Sequence, residues 1–317
     1  MIKDNAPAFM EKLDIFEDNE NVGTLILAAH TDSRSYAAFD LLTQKNIHIK
    51  RIVVFDYECN RPSVGSAQVK DYYRLSGIPN VTYVQCDSNE ADCHYICNLS
   101  FPADERIMVD ITSVSIPDVF RLFFVLKEIL GVSQCEVIYS EPKYYEYLNG
   151  YYFEYDKEIV QRDYRILPEF FTSAVSRDVL LVCFIGFERL VSKYIHERKE
   201  HSDVLIINGF PAFFPKIKDI SMEHNSELIS AIGMDRIRYA QANDPFSAFN
   251  ALRSILDENK NDLLDICVLG SKPMALGACM FALEHQDQTK VSFPFPKQSQ
   301  KHASIDVADI WWYKISL

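Results

Sequence analysis

The stretch that most constrains the fold of this chain is residues 265–284. Its first residues are apolar and predict a short buried strand, and a polar turn at 270–272 leads from it into a helix. Pro273 suits the first turn of that helix, because an N–H at that position would have no partner within the helix. A strand that enters a helix through a Gly-Ser-Lys turn places free backbone N–H groups, a hydroxyl and an ammonium together. Such a turn suits a phosphate or another anion.

The same pattern occurs about half a chain earlier. Residues 107–128 align with residues 263–284 without a gap, so that Ser115 matches Ser271. Four further pairs of segments match in the same order at similar offsets. Such self-similarity indicates an internal duplication, although any two α/β domains in tandem would share part of this rhythm.

Strand patterns alternate with helix patterns along both halves of the chain. The predicted strands are residues 24–29, 51–55, 81–86, 106–111, 136–139, 178–185, 203–208, 238–242, 265–269, 290–293 and 309–315. Alternation of this kind implies parallel sheets with right-handed crossovers. The predicted fold class is therefore α/β, with two tandem Rossmann-like three-layer domains that have mainly parallel sheets and are related by internal duplication.

The predicted domains are residues 1–145 and 178–317, joined by the aromatic-rich connecting segment 146–177. The N-terminal residues, up to position 21, carry a weak apolar periodicity and predict a short helix or an arm. Residues 144–155 include seven tyrosines or phenylalanines. They predict a bridging hairpin, an interface element between the halves, or an aromatic platform on which bases stack.

Charge and cysteine usage narrow the function classes. A net charge of −13 argues against a broad surface for duplex nucleic acid, which relies on many Lys and Arg contacts to phosphate. It leaves room for a small anionic ligand in a local pocket. We expect a cytoplasmic protein that does not cross a membrane, because the sequence shows neither a long apolar run nor the apolar region of a signal peptide. The eight cysteines, mostly inside predicted elements, are typical of buried thiols in a reducing compartment.

Signatures of metal or catalytic sites are sparse. Cys93, His94 and Cys97 resemble part of a zinc site, but zinc needs about four ligands and no second pair has a suitable spacing. Neither a metal nor another cofactor is therefore expected. The 270–272 turn lacks the spacing of a P-loop, and no nucleophile elbow occurs. Catalytic residues are not assigned, and the question of enzyme activity stays open at this point.

Candidate binding residues follow from the position of the polar clusters. Ligands of open α/β sheets bind outside the carboxyl ends of the strands, and nearly every polar cluster here falls at such an end. Helix capping and solvated loop ends account for part of this pattern. Asp56 stands where dinucleotide-binding domains hold a ribose, but the accompanying glycine fingerprint is missing. The predicted ligand-binding residues are His30, Thr31, Asp32, Ser33, Arg34, Asp56, Thr112, Ser113, Ser115, Glu188, Arg189, Asn208, Gly270, Ser271 and Lys272.

Two of these turns resemble a known family. Residues 269–277 (LGSKPMALG) resemble the GGTKxM turn after the fourth strand of CARF domains, the CRISPR-associated Rossmann-fold sensors of cyclic oligonucleotides. Residues 110–115 (DITSVS) resemble the DxTGG version of that turn, without its glycines. In that family the first-strand turn, here 30–34, often contacts the ligand, and paired domains hold the ligand across a two-fold axis. The resemblance implies that a tandem pair would do the same internally. The nuclease domain of the usual CARF effectors is not visible.

A second resemblance is to the PP-loop ATP pyrophosphatases. It lies in the layout of residues 24–42, 52–57 and 70–79. The SGGxDS motif of that family becomes AHTDS at 29–33, so both of its glycines are missing. This departure puts the ATP pyrophosphate site of that family in doubt here.

The preferred functional hypothesis is a sensor that binds a nucleotide-type anionic ligand, such as a cyclic oligonucleotide, in a cleft between the two halves, in prokaryotic antiviral defence. The first alternative is an enzyme of PP-loop, phosphodiesterase or hydrolase type that acts on nucleotides or phosphorylated small molecules. The second is a scaffold subunit of a larger defence complex, with partner proteins. Arg34 and Arg189 match in the two halves. Either both contact the anion, or both are surface arginines that pair with local acids such as Asp32 and Glu188.

Overall fold

A computed structural model of the protein describes residues 9–13, 21–29, 33–57, 72–74, 76–86, 94–102, 105–145, 163–171, 178–186, 201–259, 263–295 and 304–317. The chain forms two compact units. The first unit comprises Met1–Phe153 and Lys301–Leu317, and the second comprises Glu154–Gln300. Within the described residues, each unit is built around one β-sheet.

Strands and helices alternate through most of both units. In chain order the strands are β1 (Phe9–Lys12), β2 (Val22–Ala29), β3 (Ile49–Asp56), β4 (Asn80–Gln85), β5 (Ile107–Asp110), β6 (Gln134–Tyr145), β7 (Asp163–Ile166), β8 (Val179–Phe184), β9 (Asp203–Gly209), β10 (Ile237–Ala240), β11 (Leu263–Val268), β12 (Thr289–Phe295) and β13 (Ser304–Ser316). The helices are α1 (Ala37–Gln44), α2 (His94–Cys97), α3 (Ile116–Phe124), α4 (Pro215–His224), α5 (Ser226–Ile232), α6 (Pro245–Glu258) and α7 (Lys272–Glu284). A π-helical turn, Val125–Ile129, continues α3.

The sheet of the first unit has the order β1-β13-β6-β5-β2-β3-β4. Strands β2 to β6 run parallel to their neighbours, and β13 pairs antiparallel with both β6 and β1. Counted along the chain, the five parallel strands lie in the order 3-2-1-4-5, which is the doubly wound order of Rossmann folds. The direction of winding therefore reverses between β2 and β5.

The sheet of the second unit has the order β10-β9-β8-β11-β12-β7. Strands β8 to β12 are parallel, and β7 pairs antiparallel with β12 at one edge. Its parallel strands repeat the 3-2-1-4-5 order, and its winding reverses between β8 and β11. The predicted α/β class with two Rossmann-like, mainly parallel sheets is thus confirmed. The common order is what an internal duplication would produce, and the duplication itself stays a prediction.

The central strand of each sheet explains why the sequence forms these sheets. Every residue of β2 is buried, and so are all residues of β8 after Val179. Each strand lies between two parallel neighbours, so its near-continuous apolar sequence is covered on both faces, as parallel sheets require. Helix α7 is also buried along nearly its whole length, because small residues let it pack closely on its neighbours.

The C-terminal strand lies in a different sheet from the one that the sequence suggested. Strand β13 pairs with β6 over a long register that includes Trp312 opposite Ile138 and Lys314 opposite Glu136. Residues 301–317 therefore belong to the first unit and not to a second domain spanning 178–317. The sequence does not predict this pairing, because the apolar pattern of a strand does not specify which other strand it pairs with.

Three local predictions also differ from the structure. Residues 9–12 form strand β1, which pairs with β13, in place of the short helix or arm. Strand β7 lies inside the predicted connecting segment 146–177. Helix α1 is preceded by a 3-10 turn, Ser33–Ser35, and its N-cap is Tyr36, with no side-chain cap bond. The aromatic residues 146–155 lie outside the described residues.

In the part of the chain that the structure describes, no helix has the length and apolar character needed to span a membrane.

The contact between α6 and α7 provides a test of the packing. A Cβ atom placed on Gly277 would lie 2.0 Å from the Pro245 carbonyl oxygen and 2.9 Å from the Ala248 Cβ. We predict that Gly277→Ala lowers the free energy of unfolding by about 2 kcal/mol, because the cost of overpacking exceeds the gain of about 1 kcal/mol in helix propensity. Urea unfolding measures the change. Ser254→Ala, at an exposed position of α6, is the control. A stabilised Gly277→Ala variant would contradict the described packing.

Candidate functional site

The reversal point of the first sheet gathers a set of polar residues, which we call the carboxyl-edge cluster. It lies at the carboxyl ends of β2 and β5, next to the part of β6 that extends beyond β5. Its members are Arg34, Ser35, Asp110, Thr112, Ser113 and Ser140. In doubly wound sheets, the crevice at this point is the usual ligand site.

Arg34 connects distant strands of this cluster. It follows β2, and its Nη1 donates to the Ser140 carbonyl oxygen on β6 at 3.0 Å. Because β5 lies between β2 and β6 in the sheet, the guanidinium crosses the carboxyl end of β5. A second link runs between the Ser35 and Ser113 hydroxyls, whose oxygens are 2.9 Å apart. Side chains therefore join the turn after β2 both to the turn after β5 and to strand β6.

Asp110, the last residue of β5, is the buried acid of the cluster. Its Oδ1 accepts a hydrogen bond from the Thr112 backbone N–H at 2.9 Å. Burial raises the pKa of Asp110 to about 6, and the hydrogen bonds from Thr112 and the charge of Arg34 offset only part of that rise. The Thr112 hydroxyl in turn accepts from the Ser140 N–H at 2.9 Å. The cluster thus contains a carboxyl group that titrates close to neutral pH.

The N-terminus of α3 is closed by its own side chains. Ser115 is the N-cap, and its Oγ accepts from the Asp118 N–H at 3.2 Å and donates to Asp118 Oδ2 at 2.6 Å. Tyr57 donates its hydroxyl to the same oxygen at 2.7 Å and accepts from the Ser115 N–H at 3.1 Å. Arg121 Nη1 donates to the other Asp118 oxygen at 3.2 Å, and both side chains are fully buried.

This capping arrangement changes how the turn after β5 is interpreted. A carboxylate already occupies the positive end of α3, where a phosphate would otherwise bind. The Ser115 hydroxyl, predicted to bind ligand, is engaged in the cap. An anion is therefore better accommodated on the Arg34 side of the cluster than at the start of α3.

The corresponding edge of the second sheet is closely packed. A Cβ atom at Gly186 would lie 2.1 Å from the Leu269 carbonyl oxygen, so the backbones after β8 and β11 nearly touch. Ser271 caps α7 by accepting from the Met274 N–H at 3.3 Å, and its hydroxyl also donates to the Ala242 carbonyl. A Cβ at Gly270 would lie 3.2 Å from the Met274 sulfur. Backbone and side chains thus fill much of this turn.

The side chain of Asn208, near the end of β9, is also engaged in hydrogen bonds within the protein. Its Oδ1 accepts from the Ser221 hydroxyl at 2.7 Å, and its amide donates to the Lys218 carbonyl oxygen at 3.5 Å. The side chain is buried. Asn208 therefore fixes α4 against β9.

The structure brings some predicted residues together and leaves others apart. Arg34, Thr112 and Ser113 meet in the carboxyl-edge cluster. Asp56 is buried at the end of β3, and Lys272 begins α7. Five predicted residues lie outside the described residues, and of a sixth only the backbone is described: His30, Thr31, Asp32, Glu188 and Arg189, and Ser33.

Sequence reasoning missed Tyr57, Asp118 and Arg121. A signal for Asp118 was present, because a serine followed three residues later by an acid at a helix start is typical of a capping pattern. No sequence signal connects Tyr57 to Asp118, which lie far apart in the chain and meet only through the fold.

A second group of buried charges lies on β11 of the second unit. Asp265 Oδ2 accepts from His201 Nε2 at 2.8 Å and from Tyr164 at 3.2 Å, and it lies 3.2 Å from Lys290 Nζ. Burial acts to raise the pKa of Asp265, but the His201 hydrogen bond and the Lys290 charge outweigh it and hold the pKa below its usual value. These bonds tie the start of β9 and the edge strand β7 to β11 and β12.

Among the residues that the structure describes, side chains that could bind a metal do not form a group. Among those residues, no three His, Cys, Asp or Glu side chains stand together as a metal site. Cys93 and the side chain of His94 fall outside the description. The described six cysteines are free thiols, five of them buried.

Fold and site together define a doubly wound α/β protein with a polar cluster at the reversal point of its first sheet. No protein-family model and no curated protein matches the sequence. Similar solved structures include a putative universal stress protein from Pseudomonas aeruginosa, at 10% identity and a TM-score of 0.27, with 87% of this chain and 94% of that chain covered. Another is a functionally unknown protein from Pseudomonas aeruginosa PAO1, at 9% identity and a TM-score of 0.27, with 87% and 93% covered.

A third similar structure is phosphoethanolamine N-methyltransferase 2 from Haemonchus contortus, at 9% identity and a TM-score of 0.26, with 96% of this chain and 50% of that chain covered. Similarities at these scores are too weak to assign a family or an activity. The class of the protein is defined by the strand order of its own two sheets.

The raised pKa of Asp110 predicts a pH dependence of stability. Between the ordinary pKa of 3.8 and the folded value of about 6, the unfolded chain loses this proton while the folded protein keeps it. The contribution of Asp110 is thus most favourable below about pH 4 and declines until the pH passes about 6, by about 3 kcal/mol in all. In urea unfolding from pH 4 to 7, we expect wild type to lose stability relative to Asp110→Asn. Parallel curves for the two proteins would exclude the raised pKa.

Asp265 predicts the opposite dependence. Its lowered pKa stabilises the fold above its unfolded pKa, and this contribution disappears as the pH falls through the folded pKa. Asp265→Asn leaves the Lys290 ammonium without its carboxylate, so we expect a loss of about 3 kcal/mol at pH 7. The difference from wild type should stay constant from pH 7 down to about pH 4 and narrow only below it, as the pH falls through the folded pKa of Asp265. The exposed residue Asp257 on α6 supplies the control substitution Asp257→Asn, and equal losses in both variants would refute the assignment.

Proposed function

We propose that this protein binds a nucleotide-type anion, such as a cyclic oligonucleotide, at the carboxyl-edge cluster of the first unit, and that it acts as a sensor in prokaryotic antiviral defence. The position of Arg34 carries the proposal. The Arg34 guanidinium spans the carboxyl end of β5 at the reversal point of a doubly wound sheet. Arginine suits this role because its planar fork binds phosphate or carboxylate through two parallel hydrogen bonds.

The surroundings of Arg34 favour an anion with hydroxyl groups over a bare phosphate. The hydroxyls of Ser35 and Ser113 pair with each other beside it, and such a pair can exchange hydrogen bonds with a sugar. Asp110 supports the same interpretation. Its charge opposes that of a bound phosphate, but a pKa of about 6 lets it take up a proton when an anion approaches. Binding should therefore strengthen as the pH falls from 7 to 5.

A sensor fits the described residues better than an enzyme does. Asp118 accepts from the Ser115 hydroxyl, but its two oxygens are occupied by Ser115, Tyr57 and Arg121 in the cap of α3. Asp118 is thus a capping group, and its burial keeps it from a substrate. The defence role rests on the resemblance of residues 110–115 and 269–277 to the turns of CARF domains.

Arg34 gives the direct test. We predict that Arg34→Ala weakens the binding of an anionic nucleotide by about 1.5–3 kcal/mol, the usual contribution of a hydrogen bond to a charged group. Arg34→Lys should recover only part of the affinity, because lysine keeps the charge but lacks the fork. Isothermal titration calorimetry with cyclic oligoadenylates, mononucleotides and inorganic phosphate measures these changes.

The matched control is Arg236→Ala, since Arg236 is a half-exposed arginine of the second unit that pairs with Asp203 at 2.8 Å. Unchanged affinity in Arg34→Ala, or a loss of equal size in Arg236→Ala, would overturn the proposed site. Chromatography of the ligand after incubation separates the alternatives: an intact ligand supports a sensor, and a turned-over ligand indicates an enzyme. A wild-type protein that binds none of these compounds but co-purifies with other proteins would indicate a scaffold.

A further inference from the structure

Two aromatic side chains stand together on the surface of the second unit. Phe210 directly follows β9, and Tyr239 is the penultimate residue of the neighbouring strand β10. Their side chains are 51% and 47% exposed, and their ring centroids are 5.9 Å apart at an interplanar angle of 69°. We call these two residues the aromatic pair. Each ring packs edge against face with the other and keeps about half of its area open to solvent.

The backbone that carries the aromatic pair is fixed by the sheet. The Phe210 N–H donates to the Ala240 carbonyl oxygen at 2.7 Å, which extends the pairing of β9 and β10 past the end of β9. The Ala242 N–H donates to the Pro211 carbonyl oxygen at 3.0 Å. Tyr239 itself lies opposite Asn208 in the register of the two strands. The two rings are thus presented by sheet backbone, and little conformational entropy remains to be lost when something binds them.

A lysine lies against the aromatic pair. Lys218 Nζ, on α4, is 5.1 Å from the centroid of the Phe210 ring. The Ser221 hydroxyl, at 2.9 Å, and the Asn208 amide both bond to the Lys218 carbonyl oxygen, which anchors this turn of α4 to β9. Asp219 is 3.5 Å from the ammonium, but its side chain is 76% exposed, so solvent screens the pair. The ammonium therefore lies over one face of the Phe210 ring, while about half of each ring stays exposed to solvent.

We propose that the aromatic pair is a stacking site for the base of a nucleotide whose phosphate is held by Lys218. A base stacks on aromatic rings whatever its sequence identity, and a phosphate complements an ammonium. The pair also lies at the carboxyl ends of the second and third strands of a doubly wound sheet, the edge at which such sheets bind ligands. This inference does not depend on Arg34, because it concerns residues of the other unit.

The inference predicts which part of a nucleotide is recognised. Calorimetric titration with AMP, adenosine and ribose 5-phosphate separates the base from the phosphate. Wild type should bind AMP most tightly, and ribose 5-phosphate at least about tenfold more weakly. Phe210→Ala and Tyr239→Ala should each weaken AMP about tenfold, which corresponds to about 1.4 kcal/mol. Tyr239→Phe should bind AMP as wild type does, because the ring remains.

Lys218→Gln separates the two parts of the site. It should weaken AMP several-fold and leave adenosine unchanged, since only AMP carries the phosphate. Phe171→Ala is the matched control, because Phe171 is an aromatic residue of the same unit that is 61% exposed. Every titration is repeated in the Arg34→Ala background, so that binding at the first unit is distinguished from binding at the aromatic pair.

Three results would overturn the inference. The first is wild-type protein that binds neither AMP nor adenosine. The second is a Phe210→Ala variant that binds AMP as tightly as wild type does, or a Phe171→Ala variant that loses as much AMP affinity as Phe210→Ala does. The third is loss of AMP binding in Arg34→Ala with no further effect of Phe210→Ala, which would leave the first unit as the only site. If wild type instead self-associates and Phe210→Ala abolishes the association without any AMP binding, the pair is a protein contact.

Discussion

The constraint on which the rest of this structure depends is the burial of its central parallel strands. Strands β2 and β8 have parallel neighbours on both sides and are covered on both faces, so every residue of β2 and all residues of β8 after Val179 are buried. Polar groups are excluded from such strands unless they are paired. They accumulate where the strands end, and there the chain must satisfy them with hydrogen bonds of its own or leave them to a ligand.

The two units meet this constraint differently. In the first, charged and hydroxylic side chains join the turns at the reversal point, and Asp110 remains a buried acid among them. In the second, the backbones at Gly186 and Leu269 approach so closely that no side chain fits between them. The polar and aromatic groups of the second edge lie further along the sheet, at β9 and β10. One strand order thus supports two chemically distinct edges, which is why fold alone does not define function.

The parts of the fold that the sequence predicts are those governed by local patterns. The apolar runs at 24–29 and 265–269 and the turn before Pro273 each specify a strand or a helix start by themselves. The structure has strands β2 and β11 and the start of α7 at these places. The pairing of β13 with β6 and the bond from Tyr57 to Asp118 depend on residues far apart in the chain, and no local pattern encodes them. Of the predicted ligand-binding residues, Arg34, Thr112 and Ser113 lie together at the strand ends, and their role in binding stays a prediction. Helix capping, a competing use of the same residue types, accounts for Ser115 and Ser271.

The return of the last strand to the first sheet has a consequence for synthesis of the protein. Because β13 follows the whole second unit in the chain and pairs with both β6 and β1, the first unit is discontinuous. Domains generally fold in the order of their synthesis. The sheet of the first unit, however, cannot be completed when residues 1–153 have left the ribosome, because β13 has not yet been made. Strand β6 keeps an unpaired edge until residues 304–316 have been synthesised, and such edges are open to pairing with other chains. The second unit, continuous in sequence, is complete before the first.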